Sequence, residues 1–156
     1  MLEIRRATRA DAEVAYRVRR LAVLDQCSDH YVLDDLLLWT AGNAEDGYAA
    51  LMDGHFYLGW IDGEAVVTGM LDLAGAEVGA LFVHPDHLRH GLGRQMLKFL
   101  EALASDLQLA ELRLDATLNA AAFYRHCGYV DEGLALYHSP RGLTLECVSM
   151  SKRLVP

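Results

Sequence analysis

The sequence predicts an α+β domain, with a mixed, mostly antiparallel central sheet and helices on both faces. Three observations carry this. Strand-like segments crowd into residues 54–83, where Asp62-Gly63 offers a hairpin turn between two of them. A long helical segment follows, with Leu92, Met96, Phe99, Leu100 and Leu103 on one face. After it, short strands alternate with one short helix. The 156 residues suit a single domain, 1–156, large enough to bury a core without disulfide or metal staples.

Leu2 to Arg5 alternates and reads as a first strand. Thr8 offers an N-cap oxygen with Asp11 three residues on, ahead of an apolar stripe at Val14, Val18 and Leu21, so a helix ending near Asp25 follows. The loop 26–30 supplies a second cap, and Tyr31 to Trp39 is again helical. Gly42-Asn43 breaks that pattern, and a short helix is expected over Glu45 to Met52. Phe56–Ile61, Ala65–Leu73 and Glu77–Val83 then form an antiparallel meander. Leu112 to Leu114 is a buried strand, and Leu118 to Cys127 a helix stopped by Gly128. Tyr129 to Leu136 and Thr144 to Ser151 close the sheet around a turn at 138–142. The strand–helix–strand unit 77–115 is a crossover, so its two strands should be parallel.

Fourteen Lys and Arg against twenty-two Asp and Glu give a formal net charge of −8. General nucleic-acid binding needs a basic surface to displace counterions from phosphates, and is not expected. No apolar run approaches the ~20 residues of a membrane span, so no membrane partner is expected either. Met1 to Asp11 lacks the apolar stretch of a secretory signal. Cys27, Cys127 and Cys147 are widely spaced without a CxxC pair, which points to a reduced, cytoplasmic protein without structural zinc.

The segment from Val83 through Arg94 to Leu97 joins a buried strand to the long helix. The first turn of a helix has unpartnered N–H groups and carries the positive end of the macrodipole. Gly91 and Gly93 clear side chains from that end, while Arg89 and Arg94 add donors suited to phosphate oxygens. The physical reading is a pyrophosphate cradle. A third glycine and a strand-end acid, needed for a dinucleotide fold, are missing, as is the Lys-Ser/Thr of a P-loop. His84, His87 and His90 recur every three residues, but Pro85 and the glycines put them in a loop, and no metal site is expected.

At this point the chain resembles a known family. Strand Leu81-Phe82-Val83, then Pro85, then Arg89-His90-Gly91-Leu92-Gly93-Arg94 at a helix start, is similar to the acetyl-CoA motif of the GCN5-related N-acetyltransferases (GNAT). Asn119 to Tyr129, a helix carrying Tyr124 and closed by Gly128-Tyr129, resembles their second motif. The order of elements matches along residues 2–154. Leu88 stands where the family usually has Arg or Gln, and Arg89 where it often has Gly.

The resemblance implies the acyl-CoA N-acyltransferase fold and acetyl-CoA as cosubstrate, without a metal. It implies that the strands 77–83 and 111–115 splay apart, that pantetheine pairs with Leu81, Phe82 and Val83, and that Arg89, His90, Gly91, Leu92, Gly93 and Arg94 hold the pyrophosphate. Backbone N–H groups of a bulge near Phe82-Val83 would stabilise the oxyanion, Tyr124 would be the general acid, and Glu77 the base through water. Weaker base candidates are Glu111 and Asp115. The acceptor would be a small-molecule amine or a protein amino group, recognised by segments 26–40 and 137–143. Cys27, His30, Tyr31 and Trp39 resemble a pattern in small-molecule acetyltransferases. Asp34, Asp35 and the net charge lean toward a cationic acceptor. The alternative is a non-catalytic acyl-CoA sensor or interaction module, which would need the cradle but neither Tyr124 nor a base. The apolar closing strands point to a homodimer.

Overall fold

The computed structural model describes residues 1–42, 47–139 and 142–154. Seven strands form one sheet: β1 (Glu3–Arg6), β2 (His55–Ile61), β3 (Glu64–Asp72), β4 (Glu77–Val83), β5 (Glu111–Thr117), β6 (Val130–His138) and β7 (Thr144–Arg153). Four α-helices accompany them: α1 (Ala12–Gln26), α2 (Leu33–Trp39), α3 (Leu92–Asp106) and α4 (Ala121–His126). The spatial order is β1-β2-β3-β4-β5-β7-β6, antiparallel except between β4 and β5.

The period-two pattern of β2 decides the layers. Phe56 and Leu58 pack with Ala12, Ala15 and Tyr16 of α1, whereas Tyr57 packs with Met96, Leu97 and Leu100 of α3. Successive strand residues face opposite sides, so α1 and α3 cover the two faces. β2, β3 and β4 are the expected meander, and β4–α3–β5 is the expected parallel crossover.

Several boundaries differ from the sequence reading for local reasons. The Asp11 carboxylate accepts from the Thr8 N–H at 2.8 Å, and the first turn, Arg9–Asp11, is a 3-10 turn ahead of α1. The Cys27 carbonyl accepts from both the His30 and Tyr31 N–H groups at 3.1 Å, so α2 starts only at Leu33. The helix expected over 45–52 is a 3-10 segment, Tyr48–Asp53; Glu45 and Asp46 lie outside the described residues. A turn closed by Ala120 N–H to Thr117 carbonyl takes up 118–120, so α4 begins at Ala121. The closing strands run further than expected, to His138 and Arg153, while Pro140 and Arg141 of their turn lie outside the described residues.

Gly69 of β3 lets α3 lie close to the sheet. A Cβ there would sit 2.6 Å from Met96 Cγ and 3.0 Å from Leu100 Cδ1, two side chains with no exposed surface. Gly69→Ala is therefore expected to cost ~1–3 kcal/mol of stability by overpacking, read as a lower urea midpoint with an unchanged m-value.

Candidate active site

β4 and β5 part early. Among the described residues their parallel register has one pair, Glu77 with Arg113, supported by the Arg113 N–H donating to the Ala76 carbonyl at 2.8 Å. Beyond it β5 pairs with β7 and β4 with β3, leaving a gap between 79–83 and 114–117. The opening edge of β4 is also bulged. Thr68 pairs with Phe82 and Met70 with Gly79, so Ala80 and Leu81 face the single residue Gly69. Ala80 takes the left-handed conformation, φ 50°, and its carbonyl accepts from the Thr68 hydroxyl at 2.5 Å. The bulge expected near Phe82-Val83 thus lies two residues earlier, because Phe82 and Val83 keep regular pairs with Thr68 and Val67.

The gap opens into a cleft of about 760 Å³, walled by β4, the end of β5, α1, α2 and the start of β7. Leu81 and Phe82 line it. Val83 does not, and its carbonyl already accepts from Gln26 Nε2 of α1 at 2.9 Å. Tyr124 is buried on α4 and lines the same cleft; burial pushes its phenol above the usual range, so it stays protonated. Glu77 is half-buried at the cleft wall. Its pKa is raised first by burial, then by Asp115 and Asp72, with Arg113 opposing. Asp115 also lines the cleft, whereas Glu111 is exposed and outside it.

At the start of α3 the first intrahelical bond runs from the Gln95 N–H to the Gly91 carbonyl, so the N–H groups of residues 92–94 have no partner in the helix. Gly91 is the N-cap at φ 74°, with nothing within 4 Å of a Cβ placed there. Gly93 differs. A Cβ on it would lie 3.4 Å from both Val83 and Phe123, ordinary contact distance, so this glycine sits against the strand and α4 rather than in the open. The Leu92 side chain belongs to the core, leaving only its backbone to face a ligand. Arg89, at φ 65°, His90 and Arg94 are exposed at the same turn. His84 and His87 meet edge to face with ring centroids 5.7 Å apart, His84 accepting from the Asp86 N–H and His87 lying 3.0 Å from Glu64, while His90 is exposed at the turn.

A family model for the acetyltransferase (GNAT) domain matches residues 52–131, from the end of the 3-10 segment through the cradle and α4. The chain belongs to the GNAT acetyltransferase family. A GCN5-related N-acetyltransferase from Rhodopseudomonas palustris is similar at 25% identity and TM-score 0.89, over 97% of this chain and 95% of its own. The PaiA N-acetyltransferase from Thermoplasma acidophilum, solved with coenzyme A, is similar in fold at 15% identity and TM-score 0.76, over 98% and 99%. The ribosomal-protein-S18-alanine N-acetyltransferase from Escherichia coli is similar in fold at 19% identity and TM-score 0.73, over 100% and 96%. No curated protein matches the chain. No described helix of this acetyltransferase is long and apolar enough to cross a membrane.

The α1–α2 side of the acetyltransferase cleft departs from the sequence reading. Tyr31 is a tether: its hydroxyl donates to the Glu146 carbonyl at 2.5 Å and accepts from the Leu118 N–H at 3.0 Å. Cys27 is buried against Thr117 and Asn119, and burial pushes its thiol up to about 11, although their hydrogen bonds act the other way. His30 is exposed and outside the cleft. Asp34 and Asp35 do not line it either, so they give the acceptor side no negative wall. What the sequence reading missed is Arg19. Its helix neighbours Ala15, Tyr16, Ala22 and Val23 are all buried, so a cation stands in the middle of the apolar stripe of α1. That pattern break was the available signal.

Glu77 makes a pH prediction with a definite sign. A carboxyl raised in the folded state stabilises the protein below its unfolded pKa, and that contribution disappears as pH rises through the folded value. Glu77→Gln should therefore melt higher than the parent at pH 7, the gap closing below pH ~4 where the carboxyl is protonated in both states. Melting curves across pH 3.5 to ~8 check this; a gap that persists at low pH contradicts it.

Proposed function

We propose that this acetyltransferase moves an acetyl group from acetyl-CoA to the primary amine of a small molecule, by direct attack of the amine on the thioester. The observation that supports it best is the convergence of a protonated, buried phenol and a splayed, bulged strand on one cleft. The α3 turn beside that strand, with amides free of helix partners, is the pyrophosphate site in this reading. Backbone and side chains of 89–94 hold the anion, and pantetheine runs along Leu81 and Phe82. With its carbonyl taken by Gln26, Val83 has less to offer pantetheine.

In the reaction the ammonium first loses a proton through water to Glu77, whose raised pKa brings it nearer the task. The amine nitrogen then bonds to the thioester carbon, and backbone N–H groups of the bulge meet the oxyanion. As the C–S bond breaks, the sulfur takes the Tyr124 proton, and the second proton of the acylated nitrogen passes through water to restore the phenol. A phenol above its usual range is a weak donor, but the thiol it serves shares the desolvation. Acid and leaving group therefore move in the same direction.

Tyr124→Phe keeps the ring packing and deletes the hydroxyl. Turnover should fall by ~10²-fold while acetyl-CoA affinity by calorimetry stays within about twofold. Normal turnover would remove the acid role, and no binding at millimolar acetyl-CoA would remove the whole reading.

The edge strand β6, with Val130, Leu134 and Leu136 all more than half exposed, supports a two-fold dimer made by pairing this edge with its copy. Sedimentation at tens of micromolar is expected to give twice the chain mass. A monomer contradicts the dimer.

A further inference from the structure

Arg19 forms no ion pair among the described residues. Its Nη2 donates to the Trp39 carbonyl at 3.1 Å, and its guanidinium carbon stands 5.3 Å from the ring centroids of both Tyr16 and Trp39. Its Nη1 is buried and has no hydrogen-bond partner. Two more orphaned donors surround it: Trp39 Nε1 and the Tyr48 hydroxyl, each buried without a partner. The Tyr48 ring lies 5.1 Å from that of Tyr16, and the Arg19 charge is felt at its phenol. All four residues line the cleft. A half-buried guanidinium with one nitrogen buried, and no counterion among the described residues, is costly, and unpaired N–H and O–H donors add to the cost, so this wall suits an anion against it.

The opposite wall has the other sign. Glu77 and Asp115 line the cleft where β4 and β5 part. α1 brings the two walls into one chamber. Gln26, seven residues after Arg19 and on the same helix face, bonds to Val83, and seven helical residues rise ~10 Å. Tyr16, three residues before Arg19, packs in one cluster with Ala80 and Phe82, so Arg19 lies on α1 between that cluster and the Gln26 contact.

We propose that the acceptor is an amino acid in the broad sense, an amine carrying a carboxylate in the same molecule, with the carboxylate held by Arg19, Trp39 Nε1 and Tyr48 and the amine directed toward Glu77. A carboxylate offers two oxygens with about four lone-pair sites, enough for these three donors. The proposal rests on the N-acetyltransferase reading above and names its substrate class. It also reverses the lean toward a cationic acceptor drawn from net charge.

The test uses matched pairs: L-phenylalanine with 2-phenylethylamine, L-leucine with 3-methylbutylamine, and 4-aminobutyrate with butylamine. Binding is read by indole fluorescence and by melting shift, with and without CoA, and turnover by thiol release from acetyl-CoA. In at least one pair the carboxylate-bearing member should bind and react at least 10-fold better, and Arg19→Gln should collapse that ratio to within about twofold. Calorimetry should show acetyl-CoA affinity unchanged in Arg19→Gln, which certifies its fold. Should that variant fail to fold, Arg19→Lys keeps the charge but loses the planar fork, and is expected to lower the ratio several-fold. A ratio near one in every pair, a preference for the bare amines, or a ratio that survives loss of Arg19 would overturn the proposal. Failure of acetyl-CoA to bind would instead sink the acetyltransfer reading, while the binding arm without CoA still decides the carboxylate site.

Discussion

The cleft depends on one break in backbone pairing, where β4 and β5 stop sharing hydrogen bonds after Glu77 and Arg113. Backbone groups left without strand partners must find others, because an orphaned buried amide or carbonyl costs as much as a lost hydrogen bond. The protein answers with side chains at two points: Gln26 takes the Val83 carbonyl, and Thr68 takes that of Ala80. Between those two points the strand edge is open to a ligand backbone. The same break lets α1 lie across the gap and makes α3 begin at the gap's lip. The glycine turn before α3, Tyr124 and the Arg19 wall all take their positions from it.

Much of this was legible in the sequence, because it rests on patterns with a direct backbone cause. Asp62-Gly63 and the alternation around it marked the meander, and Gly91 and Gly93 marked a helix start needing a positive φ and a close approach. Tyr124 followed from its motif. The bulge at Ala80 was displaced by two residues in the reading, since an alanine at positive φ has no compositional sign; the Thr68 hydroxyl that supports it lies on another strand. Tyr31 and Trp39 were picked out as acceptor residues. Both line the cleft, but Tyr31 also has its hydroxyl engaged with backbone 87 and 115 residues away in sequence. Pairings that distant leave no local pattern.

Net charge averages over the whole surface and does not resolve the cleft, which is lined by Arg19 on one side and by Glu77, Asp115 and Glu146 elsewhere. The −8 balance is spread over solvated faces, where water screens it, and Asp34 and Asp35 belong to such a face. Inside the cleft the nearer charges are Arg19 on one wall and Glu77 and Asp115 where β4 and β5 part, so a ligand there meets both signs at short range. The local break in an apolar stripe therefore says more about a pocket than the sum over the chain.

The Tyr31 hydroxyl satisfies two backbone groups at once, one on β7 and one at the end of β5, from the loop joining α1 to α2. This joins the two helices that carry Arg19 and Trp39 to both strands on the far side of the gap. Such a wall is preorganised: a ligand entering it meets donors already positioned, with little loop entropy left to lose. The cost is evolvability. Lengthening the α1–α2 loop would strand the Leu118 amide, so new acceptor preferences in this protein should arise by exchanging side chains along α1 and α2 rather than by inserting residues between them.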